Sequence, residues 1–295
     1  LVVLQFLIVF KPRKVFRTLF RVGVIHLAVA FVIHGIALAA RWYISGHAPM
    51  SNGYESMIFM SWVTLLAGLI FARRSGYAIA LTAILSALAL MVAQMSNMNP
   101  EITNLVPVLK SVWLTIHVTV IMAGYGFLGL ASIMGLLNLF LYASLGASNA
   151  GRLREVILEV TRVNHLTLIV GLYFMTAGVF LGGVWANESW GRYWGWDPKE
   201  TWALITVLVY AFVTHMHRIP GLRGNFAYNL ASFTAYASVL MTYFGVNYFL
   251  GGIHSYASGS AFKLPWFTYL FMAMLAGLAY LAYHRQREFL PEGEV

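Results

Sequence analysis

No cysteine occurs among the 295 residues. That excludes disulfides, thiolate nucleophiles and cysteine-ligated metals, so any thiol that reacts on this protein must arrive on a partner. Charge is scarce as well: charged residues make up 10% of the chain, against about 25% in soluble domains, while hydrophobic residues make up 60% and mean hydropathy is +0.74. There is no internal repeat, low-complexity tract or Gly/Ser linker. One candidate hinge remains, the connection around 146–165 that opens Gly146-Ala147-Ser148-Asn149-Ala150-Gly151. What these absences leave is a polytopic membrane protein.

Crossing a hydrocarbon layer of about 30 Å takes about 20 apolar residues in a helix. Runs of that kind fall near 18–40, 55–72, 77–95, 113–145, 166–185, 201–217, 226–250 and 265–283. The expected fold is therefore an all-α helix bundle of about eight transmembrane helices, read as one domain over 1–295. An apolar stub at residues 1–10 is too short to span alone, and the chain does not begin with Met. The stub reads as the end of a longer helix cut from a larger polypeptide.

Basic residues collect in short cytoplasmic loops. Five of the nineteen Lys and Arg residues (Arg41, Lys110, Arg192, Lys199 and Lys263) fall on one side of this alternation, and the remaining fourteen on the other. Both ends of the eight-helix unit are thus expected in the cytoplasm. The net charge of +9 is mostly an orientation signal. It does not read as nucleic-acid binding, since the cations flank membrane spans rather than line a soluble face.

Against this background the stretch Trp190-Gly191-Arg192-Tyr193-Trp194-Gly195-Trp196-Asp197-Pro198-Lys199-Glu200-Thr201-Trp202 is the most informative. It holds four of the nine tryptophans, with glycines that let the backbone approach a ligand. An aromatic belt at the membrane interface explains single rings. The density of rings points instead to a platform for a flat apolar guest, a macrocycle.

The same stretch resembles the tryptophan-rich WWD signature, WGxxWxWD, of the haem-handling proteins of cytochrome c maturation. Its continuation PKETWALI is similar to the CcsA (ResC) branch rather than to CcmC or CcmF. Further pieces fit that branch: Arg41-Trp42-Tyr43, Pro49, Asn52-Gly53-Tyr54-Glu55-Ser56, His117, and Gly252-Ile253-His254-Ser255-Tyr256. The resemblance runs from about residue 41 to 256. It implies a bacterial inner membrane or a thylakoid-type membrane, with the tryptophan segment of 185–202 on the outer, periplasmic face.

Without cysteine, histidine is the main candidate ligand for iron. His117 lies about one turn inside the outer end of its span, and His254 lies in an outer connection, both level with the tryptophans. Taken singly, a helix-end histidine bonded to a carbonyl and a solvated loop residue explain them; together with the platform they point to an axial pair. His215 lies roughly 22 Å deeper, fifteen steps beyond Glu200 at 1.5 Å each, where an ionisable group is a functional candidate by default. The resemblance implies an inner haem site there, completed by a histidine of a CcsB (ResB) partner. His26 and His34 are about 80° apart on one helix and cannot share an iron. His47 reads as an exposed loop residue, His217 as part of the basic inner boundary, and His165 and His284 as helix-end residues.

Asp197-Pro198-Lys199-Glu200 has an N-cap carboxylate, a proline at the first helical position and a glutamate at the third, the pattern of a capping box. Asp197 is accordingly expected to be structural. Arg192, Lys199, Lys263 and Arg41 are the outer cations available to haem propionates; Glu55 could instead pair with one of them.

The resemblance implies a membrane protein that exports haem b (iron protoporphyrin IX) and, with the CcsB half, attaches it to the CXXCH segment of apocytochrome c: a cytochrome c synthase. His117 and His254 would hold the iron and serve catalysis, and His215 would be the inner metal ligand. Trp190, Tyr193, Trp194, Trp196, Trp202 and Arg192 would bind the cofactor. Partners are then CcsB, apocytochrome c, haem and the lipid bilayer, with no nucleic acid. Three rivals keep part of the pattern. They are a CcmC-type haem-delivery protein that makes no thioether, a dihaem electron-transfer subunit, and a small-molecule transporter with an aromatic belt.

Overall fold

The computed structural model describes residues 1–94, 98–102, 104–105, 109–250, 252 and 265–290, and among these there is no strand. The helices are α1 (Val2–Phe10), α2 (Lys14–Ser45), α3 (Gly53–Phe71), α4 (Gly76–Ala93), α5 (Val112–Ala143), α6 (Ala150–Trp190), α7 (Pro198–His215), α8 (Asn225–Thr234), α9 (Tyr236–Leu240) and α10 (Trp266–Phe289). A wide π-helical stretch, Met241–Leu250, continues α9. Six of these, α2 to α6 and α10, are long and apolar enough to cross a membrane. The expected span at 201–217 is the 18-residue α7, whose first turn carries Lys199 and Glu200. The expected span at 226–250 is helical but divided into α8, α9 and the wide stretch.

Local chemistry sets the ends. Asn52 caps α3 by accepting the Glu55 amide at 2.8 Å, Ser75 caps α4 by accepting that of Tyr77 at 3.2 Å, and α2 stops at Gly46 with φ of 71°. The one large departure from the expected layout is α6. Its 41 residues span about 62 Å at 1.5 Å per residue, so the connection before it shrinks to residues 144–149 and His165 lies well inside the helix. The charges at Arg152, Arg154, Glu155, Glu159 and Arg162 mark a helix running on past the apolar span, where hydropathy alone sees a loop.

The chain divides into two compact units. The first comprises Leu1–Leu130 and Val170–Trp196, the second Ala131–Ile169 and Asp197–Val295. Within the first, Ser61 and Ser86 lock α3 to α4: their hydroxyls lie 2.7 Å apart, and each also donates to the other's carbonyl, at 3.0 and 3.1 Å. Such small polar contacts replace the hydrophobic driving force that helices lose in lipid. The α1 stub is not a stray end, because Phe6 packs edge-on to Tyr77 of α4 at 5.2 Å.

The second unit is held by buried amides. Asn138 of α5 donates to Thr161 of α6 at 2.9 Å and to Asn229 of α8 at 2.8 Å, and Asn229 donates to Thr161 at 2.8 Å. Asn164 donates to Asn229 at 3.2 Å, and Ser232 donates to Asn164 at 3.1 Å. Three helices are thereby tied by groups that find no water in a bilayer.

Candidate functional site

His117 sits in the second turn of α5. Its Nδ1 lies 2.7 Å from the Gly178 carbonyl oxygen of α6. A carbonyl only accepts, so Nδ1 carries the proton; in the neutral ring Nε2 then has the lone pair, the tautomer that binds a metal. The two helices approach so closely here that a Cβ on Gly182 would lie 2.7 Å from Cε1 of the imidazole. Any larger residue would push the ring away.

Trp185 completes the mount. It is 2% exposed, its ring lies 6.1 Å from that of His117 with 16° between the planes, and it meets Trp190 edge-on at 4.9 Å. A ring parallel to His117 braces the imidazole. Sequence reading passed over Trp185, which lies 68 residues from His117. Its one signal was a fifth tryptophan only five residues ahead of Trp190.

After α6 ends at Trp190, the backbone turns at Gly191 with φ of 71° and again at Trp196 with φ of 56°. A left-handed tryptophan is an outlier for a bulky side chain, and such strain gathers at functional sites. Trp196 is 71% and Tyr193 64% exposed, and the Trp194 and Trp196 rings meet at 90° and 5.7 Å. Arg192 is exposed and folds its guanidinium over Gly195. The segment spends backbone strain to display aromatic surface.

The capping box forms as expected. Asp197 accepts the Lys199 amide at 3.1 Å, Glu200 accepts the Asp197 amide at 3.2 Å, and Pro198 opens α7. Lys199, in the first turn of α7, donates to Asn247 at 3.0 Å. Trp202 lies in the second turn of α7, where its carbonyl accepts from Thr206 at 2.9 Å and from Thr242 at 3.1 Å.

Arg41 leaves the set of cations available to a ligand. Its Nε lies 2.8 Å from Oε1 of Glu55, which is 1% exposed, and Oε2 of Glu55 accepts from the Ser51 amide and hydroxyl at 2.8 and 2.6 Å. The Arg41 guanidinium also stands 5.4 Å from the Tyr54 ring centroid. The Asn52–Ser56 motif is thus a bracket joining α2 to α3.

His215 closes α7, exposed, with Nδ1 2.7 Å from its own Ala211 carbonyl. His47 lies 3.2 Å from the Ala48 carbonyl, His26 is exposed and 2.8 Å from that of Val22, and His165 packs against Tyr228. No three His, Asp or Glu residues among those described gather into a metal site. Iron already held by a porphyrin asks the protein for at most two ligands. His254 and Lys263 lie outside the described residues.

Residues 50–254 match the family described as cytochrome C assembly protein. Protein NrfI of Wolinella succinogenes is 46% identical over 231 residues, which are 78% of this chain and 26% of NrfI. The chain therefore spans about a quarter of that relative. The cytochrome c biogenesis protein CcsA of Prochlorococcus marinus strain AS9601 is 36% identical over 247 residues, covering 75% of this chain and 80% of that one. CcsA of Guillardia theta is 32% identical over 267 residues, covering 82% and 88%.

Proposed function

The chain belongs to the cytochrome c assembly protein family, with the CcsA proteins among its relatives, and on that premise we propose that it moves haem b across the membrane and presents it for attachment to apocytochrome c. Its role lies in cytochrome c maturation. The observation that supports the finer reading is the mount of His117, whose Nδ1 meets the Gly178 carbonyl and whose ring lies parallel to Trp185; on this reading Nε2 is the nitrogen that takes the iron.

Haem is the cargo and substrate. Bound, it supplies two vinyl groups, and each cysteine S–H of a CXXCH segment adds across one of them. Sulfur bonds to the carbon next to the ring and the hydrogen ends on the terminal carbon, so the additions need no oxidant or reductant. The chain's contribution is position. His117 and His254 hold the iron from its two sides, and the substrate's own histidine displaces one of them. Trp190, Tyr193, Trp194, Trp196 and Trp202 cover the ring, and Arg192 pairs with a propionate. Holding vinyl and thiol in register lowers the entropic part of the barrier. His215 serves an inner site, with its opposite ligand from a CcsB (ResB) half, and the tryptophan segment faces the periplasm.

Co-expression with a CcsB half and an apocytochrome c tests this reading. The purified chain should carry a b-type haem spectrum, and the product should keep haem through denaturation. His215→Ala should deplete haem from the whole protein, since cargo passes the inner site first. A haem-free chain that still supports cytochrome c synthesis would overturn the proposal.

A further inference from the structure

The tryptophan segment continues into α7, and α7 is fastened to the wide helical stretch Met241–Leu250 by a line of polar contacts. The Thr242 hydroxyl shares its proton between the Ser238 carbonyl at 2.7 Å and the Trp202 carbonyl at 3.1 Å, and lies 3.0 Å from the hydroxyl of Thr206. Nearer the start of α7, Lys199 donates to Asn247 at 3.0 Å, and the Asn247 amide is in turn fixed by donating to its own Tyr243 carbonyl at 2.8 Å. At the end of the line, Gly252 lies directly on the Asp197 carboxylate. A Cβ there would stand 2.5 Å from Oδ1 and 3.1 Å from both Cγ and Oδ2. A side chain there would force either the carboxylate or the chain to move.

A capping box explains why Asp197 accepts the Lys199 amide through Oδ2. It does not require Oδ1 to lie on a glycine 55 residues away, nor Lys199 to be buried against Asn247. The wide turn adds a second sign: π-helical geometry costs hydrogen-bond quality and recurs where a helix must re-aim side chains at a functional site. Met241–Leu250 is π-helical throughout, and Gly252 comes two residues after its end in the chain. Two residues beyond Gly252 in the chain comes His254.

We propose that Asp197 and Lys199 are positioning residues that anchor the chain at Gly252 and Asn247 and so fix where the segment bearing His254 departs. This rests on the reading of His254 as an iron ligand. The residue that caps α7 thereby also sets the origin of the ligand segment. A methyl at Gly252 would displace either the Asp197 carboxylate or the chain.

Visible spectra of the purified haem-loaded chain test it through four variants. His254→Gly tests the ligand reading itself and should give a five-coordinate, high-spin spectrum that imidazole returns to low-spin. Gly252→Ala should give the same imidazole-reversible change, because its methyl displaces the segment while His254 remains. Adding Asp197→Ser to Gly252→Ala should restore at least half of the low-spin fraction, since serine keeps a capping oxygen and removes the carboxylate that the methyl meets. Asn247→Ala, which leaves Gly252 untouched, should produce a smaller high-spin fraction with the same reversal, at an unchanged melting temperature. A normal spectrum for His254→Gly would overturn the ligand reading. An altered His254→Gly beside a normal Gly252→Ala, or a Gly252→Ala defect that Asp197→Ser does not relieve, would overturn the anchor. Should Gly252→Ala not accumulate, a normal spectrum for Asn247→Ala overturns it.

Discussion

The Asn52–Ser56 motif, which opens α3, and the Trp190–Asp197 segment, which links α6 to α7, both mix polar and aromatic residues in sequence, yet the structure treats them in opposite ways. In the first, Glu55 is 1% exposed and both its oxygens are taken, by Arg41 and by Ser51. In the second, Trp196 is 71% exposed on a left-handed backbone. A saturated motif is a joint, because all its bonding capacity is consumed inside the fold. A strained and open one has surface and energy committed to something the chain itself does not supply.

The largest effect should come from breaking the joint. Glu55→Ala leaves a partly buried guanidinium and two Ser51 donors without an acceptor, which costs about 2–4 kcal/mol. Chemical unfolding in detergent should register that loss, while the haem that remains bound in folded molecules should keep its wild-type spectrum. An equal loss of haem affinity would erase the distinction between joint and platform.

Breaking the open segment should do the reverse. Trp194→Ala with Trp196→Ala should cut haem content several-fold with stability changed by less than about 1 kcal/mol, as exposed side chains contribute little to folding. Single replacements by Phe should be tolerated, because a ring is retained. Unfolding of the double variant before any haem is lost would assign these rings to the core.

Asp197 sharpens the comparison with the smallest effect, since it belongs to the open segment but is itself buried. Asp197→Asn should be nearly silent in stability, and Asp197→Ala should cost about 1 kcal/mol through the lost cap. A stable, haem-loaded but inactive Asp197→Asn variant would make the carboxylate chemical rather than structural.

Much of this was legible from residues alone. Apolar runs located the six helices that are long and apolar enough to cross a membrane, because length and hydropathy suffice for that, and Asp197-Pro198-Lys199-Glu200 announced its capping box because the box is local. The full reach of α6 was not legible, since its first turns carry charges that read as a loop when hydropathy is the only guide. The pairing of Trp185 with His117 across 68 residues, and of Arg41 with Glu55, depends on which helix faces pack, which no local pattern encodes. The division of the run at 226–250 into α8, α9 and a π-helical stretch is likewise a tertiary outcome. It serves contacts to α7 that the sequence of that run does not display.

The account turns on His117 as a ligand whose nitrogen is aimed by Gly178 and Trp185. The most direct measurement is the visible spectrum of the purified haem-loaded His117→Gly variant, recorded without and with added imidazole. The account predicts a five-coordinate, easily oxidised haem that imidazole converts to the low-spin wild-type form, with cytochrome c yield recovering in parallel. A six-coordinate spectrum and full yield without imidazole would contradict it.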